Sequence, residues 1–229
     1  MNSDRRAATM VGVLFIVGTV AGVLSVVATQ SLFGGPDYLD QISAHSNQLT
    51  LGALLILTMG VALAMIPAVI FPVLKRRDEV LAIGYVVFRG ALETFTYLFI
   101  VIAWLSLIPL SQAFVSAGAG NGAYLLDLGD WVRSAADMST NLTAIVFPLG
   151  AAMFYTALYR SKLIPSWLSV WGLIAVALHL VTAFLIIFGG PDAMSPINTA
   201  MNLPIFLQEM VMAVWLIVKG FNTTKKGVE

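Results

Sequence analysis

The chain has no cysteine, only two histidines, and few charges of either sign. Without cysteine there are no disulfides, no thiolate nucleophile and no sulfur ligand for a metal. Lys and Arg number 12 and Asp and Glu 12, so the formal charge is zero. No basic block or aromatic-interleaved basic stripe is present, which excludes nucleic acid as a partner. A Walker loop, a dinucleotide fingerprint and an HExxH pair are missing too, which argues against a familiar hydrolase or energy-coupled pump. No metal and no cofactor is expected.

What the sequence does have is apolar surface. Hydrophobic residues make up 59% of it, and mean hydropathy is strongly positive, values that belong to a polytopic membrane protein rather than a soluble domain. Six segments are long and apolar enough to span a bilayer: 9–30, 49–73, 80–108, 140–159, 166–188 and 199–218. The pattern predicts an all-α bundle of six transmembrane helices, forming one membrane domain over residues 1–229. Membrane lipid is then its first partner.

Basic residues divide sharply between the connections. Arg5, Arg6, the run Lys75-Arg76-Arg77, Arg160, Lys162, Lys219, Lys225 and Lys226 fall on one side. The opposite connections, 31–48, 109–139 and 189–198, hold Arg133 alone among basic residues, with Asp37, Asp40, Asp127, Asp130, Asp137 and Asp192. The positive-inside rule therefore places both termini in the cytoplasm, as six spans require. Arg5-Arg6 before an apolar run, with Val26-Val27-Ala28 after it, resembles a secretory signal. The run is longer than a signal core, and removing it would break the alternation of loop charges, so the first segment is expected to stay.

Some features have ordinary structural readings. Gly18, Gly22 and Ser25 form a close-packing face on the first segment. Pro67 and Pro72 suit a kink near the exit of the second. The connection 109–139 begins Gly-rich and then alternates Tyr124, Leu125, Leu128, Trp131 and Val132 with Asp127, Asp130 and Asp137. It is expected to be an outer amphipathic loop, with an interfacial helix that sets Trp131 at headgroup level.

Four ionisable side chains lie inside otherwise apolar stretches: Arg89 and Glu93 in the third, His179 in the fifth and Glu209 in the sixth. At 1.5 Å per helical residue from the cytoplasmic ends, Arg89 lies ~13 Å deep, Glu209 ~15 Å, and His179 and Glu93 ~18–20 Å. All four fall near the middle of a ~30 Å hydrocarbon layer. Charges at that depth face the protein interior, where they pair or line a pathway. Tyr85, Arg89, Glu93 and Tyr97 recur every four residues as a polar stripe, and Arg89 and Glu93 are spaced to pair within one helix. Asn198, Asn202 and Glu209 form a second polar line, running from the outer surface to the midplane. Arg89 neutralises one glutamate but not both. The remaining negative charge calls for a proton, a charged His179 or a bound group.

Ordered motifs along the chain resemble a known family. Pro72-Val73-Leu74-Lys75-Arg76-Arg77, Ala82-Ile83-Gly84-Tyr85 and Phe88-Arg89-Gly90-Ala91-Leu92-Glu93 carry the resemblance in the first half. Leu158-Tyr159-Arg160-Ser161-Lys162-Leu163-Ile164-Pro165 with Trp167-Leu168, and the stretch from Glu209 through Ala213-Val214-Trp215-Leu216-Ile217-Val218-Lys219-Gly220-Phe221, carry it in the second. The set is similar to the uncharacterised bacterial six-helix membrane family known as domain of unknown function 4386. The resemblance implies a multi-pass protein of the bacterial inner membrane and supplies no substrate or catalytic residue.

Three readings of function follow. The first is binding or transport of a small polar or ionisable solute at Arg89, Glu93, His179 and Glu209, with Tyr85, Tyr97 and Asn202 as further candidates and a coupled proton. The second is a structural or partner-binding protein whose buried ion pair fixes helix register. The third is an intramembrane enzyme acting on a lipid-like substrate, with a buried glutamate as general acid. The sequence offers no nucleophile for that role, so an enzyme is disfavoured.

Overall fold

Nothing in the apolar segments interrupts helix formation, and no water is available in a bilayer to satisfy an open backbone. The computed structural model describes residues 3–118, 122–190 and 195–222, and among these every regular element is helical. The elements are α1 (Ser3–Thr29), α2 (Tyr38–Ala44), α3 (Ser46–Lys75) and α4 (Glu79–Tyr85), then a π-helical turn (Val86–Leu92) leading into α5 (Glu93–Ala117). After these come α6 (Ala123–Ser161), α7 (Ser166–Ile187) and α8 (Pro196–Val218). Six stretches are long and apolar enough to cross a membrane: α1, α3, the continuous run Glu79–Ala117, α6, α7 and α8. Large apolar side chains such as Phe95, Ile102 and Val218 stand outward, a surface suited to lipid. The protein is a membrane helical bundle.

Helix starts follow local chemistry. Asp78, in extended backbone, accepts a hydrogen bond from the Leu81 amide at 3.1 Å and opens α4. Ser195 caps α8, with Pro196 at the first position, where its missing N–H costs nothing. Gly118 follows α5 at φ 69°, a conformation that side chains resist.

The connection 109–139 is not an outer loop. α5 continues through Pro109 to Ala117, and α6 begins at Ala123, so residues 123–139 are the first half of the fourth spanning helix rather than a separate interfacial one. Once α6 starts, it runs on through Pro148 to Ser161, and extending an existing helix is far cheaper than nucleating a new one. At 39 residues, α6 is ~58 Å long, about twice a hydrocarbon layer. Trp131 and Tyr124 remain outward on it.

The chain groups into two compact units, whose boundaries fall inside helices. Unit one comprises 1–16, 62–93 and 144–229, and unit two comprises 17–61 and 94–143. In unit two, Leu32, Tyr38, Leu39, Ile42, Leu49 and Leu107 form one apolar cluster, and Ala53, Ile56, Ile100 and Val101 another. Ser25 donates to the Gly52 carbonyl at 2.9 Å, and Gly22 lies against Met59. The small-residue face of α1 is thus spent on packing within the chain.

Unit one holds the basic helix ends. Arg5 reaches from α1 to the last turn of α8 and donates to the carbonyls of Leu216, Ile217 and Val218 at 2.9, 2.6 and 3.1 Å. This guanidinium satisfies acceptors that a helix end leaves open. Gly220, at φ 76°, passes so close to Arg5 that a Cβ would fall 2.9 Å from Nη1. Arg76 pairs with Asp4 at 2.6 Å and Arg160 with Asp78 at 3.4 Å. Lys225, Lys226 and Asp192, which entered the charge reading, lie outside the described residues.

A buried charge cluster as candidate site

The third spanning stretch is not a regular α-helix where the chemistry lies. Residues 86–92 form a π-turn with Arg89 at its middle. A π-turn spreads more residues over each turn than an α-helix does, and such insertions recur at functional sites. Small residues surround it. Gly84 lies against Met153, Gly90 against the Pro67 ring, and Gly150 against Phe88 and the Arg89 backbone. The α6 backbone can therefore approach the turn closely.

Arg89 Nη1 donates to both oxygens of Glu93 at 3.1 Å. Both side chains are almost fully enclosed, at 3% and 1% exposure. The guanidinium also lies over the Phe147 ring, 4.8 Å from its centroid, and 5.9 Å from that of Phe15, so its charge rests on aromatic faces as well as on the carboxylate. From α8, Glu209 brings Oε1 to 3.7 Å from Arg89 Nη2. That distance is attractive electrostatically but too long for a hydrogen bond. Glu209 keeps 15% of its side chain accessible. One cation thus faces two carboxylates from different helices, one held tightly and one loosely.

His179 does not join them directly. Its Nδ1 lies 2.7 Å from Asn202 Oδ1, and since that oxygen can only accept, Nδ1 carries the proton. Thr182 donates to the His179 carbonyl at 2.7 Å and lies 3.2 Å from the same Asn202 oxygen. The imidazole meets Phe147 edge-on at 5.1 Å, so one phenyl ring separates it from Arg89. Tyr85 is buried and stacked on Phe154 at 4.6 Å. Tyr97, the outer member of the expected stripe, belongs to unit two and packs over Gly60.

Phe15, Phe147 and Gln208 carried no sequence signal of a role. Gln208 is fully buried, accepts from the Tyr155 hydroxyl at 2.6 Å and donates to the Leu168 carbonyl at 3.0 Å. It ties α6, α7 and α8 together one residue before Glu209. Among the described residues, no three His, Asp or Glu side chains cluster closely enough to hold a metal, Asp127 and Asp130 included.

With this geometry in place, comparison with known proteins adds one finding. A sequence profile of the family described as Domain of unknown function (DUF4386) matches residues 10–220. The chain belongs to the DUF4386 family. The match takes in Arg89, Glu93, His179 and Glu209 together with five of the six spanning stretches and the first from residue 10 onward. No curated protein and no solved structure matches the chain.

Proposed function

We propose that this DUF4386 protein resides in a bacterial inner membrane with both termini cytoplasmic, and binds and moves a small polar or ionisable solute at Arg89, Glu93 and Glu209. Glu209 is the exchanging carboxylate. The observation that carries the reading is its state beside Arg89. Glu209 stands 3.7 Å from the guanidinium, accepts no hydrogen bond among the described residues and stays partly accessible. A carboxylate used only to build a fold would be expected to close onto a donor, because leaving its oxygens unmet inside a protein is costly. Glu93 already holds Arg89 in place, so Glu209 is left to take a proton or a donor group of a solute.

A second reading is favoured by the Arg89–Glu93 pair itself, whose enclosure and contact of Nη1 with both carboxylate oxygens suit a register-fixing role. Native mass spectrometry of the gently purified protein, beside Glu209→Gln, separates the two. A defined bound mass that is lost in the variant supports the solute site. Bare protein masses in both, with unchanged fold, overturn it in favour of the structural role.

A further inference from the structure

Buried polar groups lie on both sides of Glu209 in unit one. Toward the Asn198 end of α8, the seam between α7 and α8 contains Asn198, Asn202, Thr182 and His179. Asn198 is completely buried although it is only the third residue of its helix, and Asn202 lies one turn deeper on the same face. Asn202 is bonded to His179 and Thr182 from α7. Pro204 cannot donate to the Ala200 carbonyl, which adds an acceptor to this stretch. The Nε2 atom of His179 is shut away from the surface with no hydrogen-bond partner among the described residues. With Nδ1 protonated, that nitrogen presents a bare lone pair in an apolar bundle, a costly arrangement unless something donates to it. On the other side of Glu209, Ser169 Oγ and Trp215 Nε1 are also buried without a hydrogen-bond partner among the described residues, while the Gln208 amide is engaged. Tyr155 and the Leu168 carbonyl engage both ends of the Gln208 amide.

From Asn198 to Glu209 the seam runs ~16 Å along the helix axis. This is about half the hydrocarbon thickness, the reach needed to connect one surface to a midplane carboxylate.

We infer that the α7–α8 seam is an aqueous access route from the outer surface to Glu209, lined by Asn198, Asn202 and Thr182, with His179 Nε2 as its inner relay. Water or the hydrated head of a solute enters past Asn198 and is handed on by His179 beside Phe147. Tyr155, Gln208 and Leu168 close the cytoplasmic side. The inference rests on the proposed role of Glu209 and adds the direction from which it is reached.

The absence of cysteine makes the test direct, since any single cysteine introduced is the only thiol. Asn202→Cys, Leu203→Cys and Gln208→Cys are exposed, in cells or right-side-out vesicles, to a charged, membrane-impermeant methanethiosulfonate added outside. Leu203 points away from the core and serves as the lipid-facing control. The thiol at 202 is expected to react at least about tenfold faster than that at 203, because only a hydrated thiol ionises readily. The thiol at 208 is expected to stay unreacted. Equal rates at 202 and 203, or reaction at 202 only from the cytoplasmic side, overturn the route.

A second measurement needs no cysteine variant. Glu209 in the unaltered chain is treated from outside with a water-soluble carbodiimide, and the modified peptide is read by mass spectrometry. Modification that is suppressed by Asn198→Trp supports the route, and no modification of Glu209 overturns it. The result is separable from that of the binding reading. Labelling along the seam with no solute retained at Glu209 defeats the solute site and leaves the route, while solute retained without labelling defeats the route alone.

Discussion

Removing Arg89 should cost this protein more than removing either of its glutamates, and the charge count shows why. In the intact cluster one guanidinium faces two carboxylates, a formal sum of −1. Arg89→Met leaves −2, whereas Glu93→Gln and Glu209→Gln each leave zero. At 3.1 Å for Glu93 and 3.7 Å for Glu209, each attraction is worth roughly 4–5 kcal/mol at an effective dielectric of about 20. Desolvation of the three groups cancels much of that in the wild type. Removing the shared cation leaves the penalty with nothing to offset it, so Arg89→Met is expected to lose about 3–5 kcal/mol or more.

Glu209→Gln keeps the tight Arg89–Glu93 pair and should stay within about 1 kcal/mol of wild type. Glu93→Gln falls between them, because Arg89 then depends on the longer contact. A double Arg89→Met/Glu93→Gln still buries Glu209 alone, so recovery requires the triple variant with Glu209→Gln. Reversible unfolding in mixed micelles, followed by circular dichroism against the mole fraction of denaturing detergent, measures the series. If Glu209→Gln proves as damaging as Arg89→Met, or the double as stable as the triple, the shared-cation account is wrong.

Three further outcomes are expected. Arg5→Ala removes all three hydrogen bonds to the last turn of α8 and should cost about 2 kcal/mol, with faster amide exchange confined to residues near 216–220. Gly12→Ala would place a methyl 2.5 Å from the Ala213 carbonyl oxygen and 2.8 Å from Ile217. Backbone must move to admit it, so a loss of about 1–3 kcal/mol is expected in the same unfolding assay. Burial, and next the neighbouring Asp130 carboxylate, push the Tyr38 hydroxyl above its ordinary value of 10.0. Above pH 10 the unfolded chain then releases a proton that the folded one keeps, so stability falls as pH rises; Tyr38→Phe should lose that component of the alkaline decline, and an unchanged pH profile would count against it.

Several elements were legible because their cause is local. An apolar run of twenty residues can satisfy its backbone in lipid only as a helix, so all six spans and their order were readable. Arg89 and Glu93 were readable as a pair because four residues along a helix bring side chains together. The π-turn at 86–92 was not legible, because the close packing at Gly84, Gly90 and Gly150 that accompanies it depends on neighbouring helices that the local sequence does not name. The stretch 109–139 was misread for a related reason. Its polar residues suggested a loop, but packing of Leu126 and Val132 in unit two keeps the helix intact.

The sequence by itself determined that this is a membrane bundle of six helices, and that Arg89, Glu93, His179 and Glu209 lie inside its apolar spans. Position along a helix is set by the sequence and needs no partner. Only the tertiary structure decided which of those side chains meet. It set Glu209 against Arg89 beyond hydrogen-bond reach, gave His179 to Asn202 instead, and placed Phe147 between the two groups. Those choices depend on how α6, α7 and α8 are rotated about their axes around the π-turn, and rotation is set by packing between distant segments rather than by the hydrophobic period of any one of them.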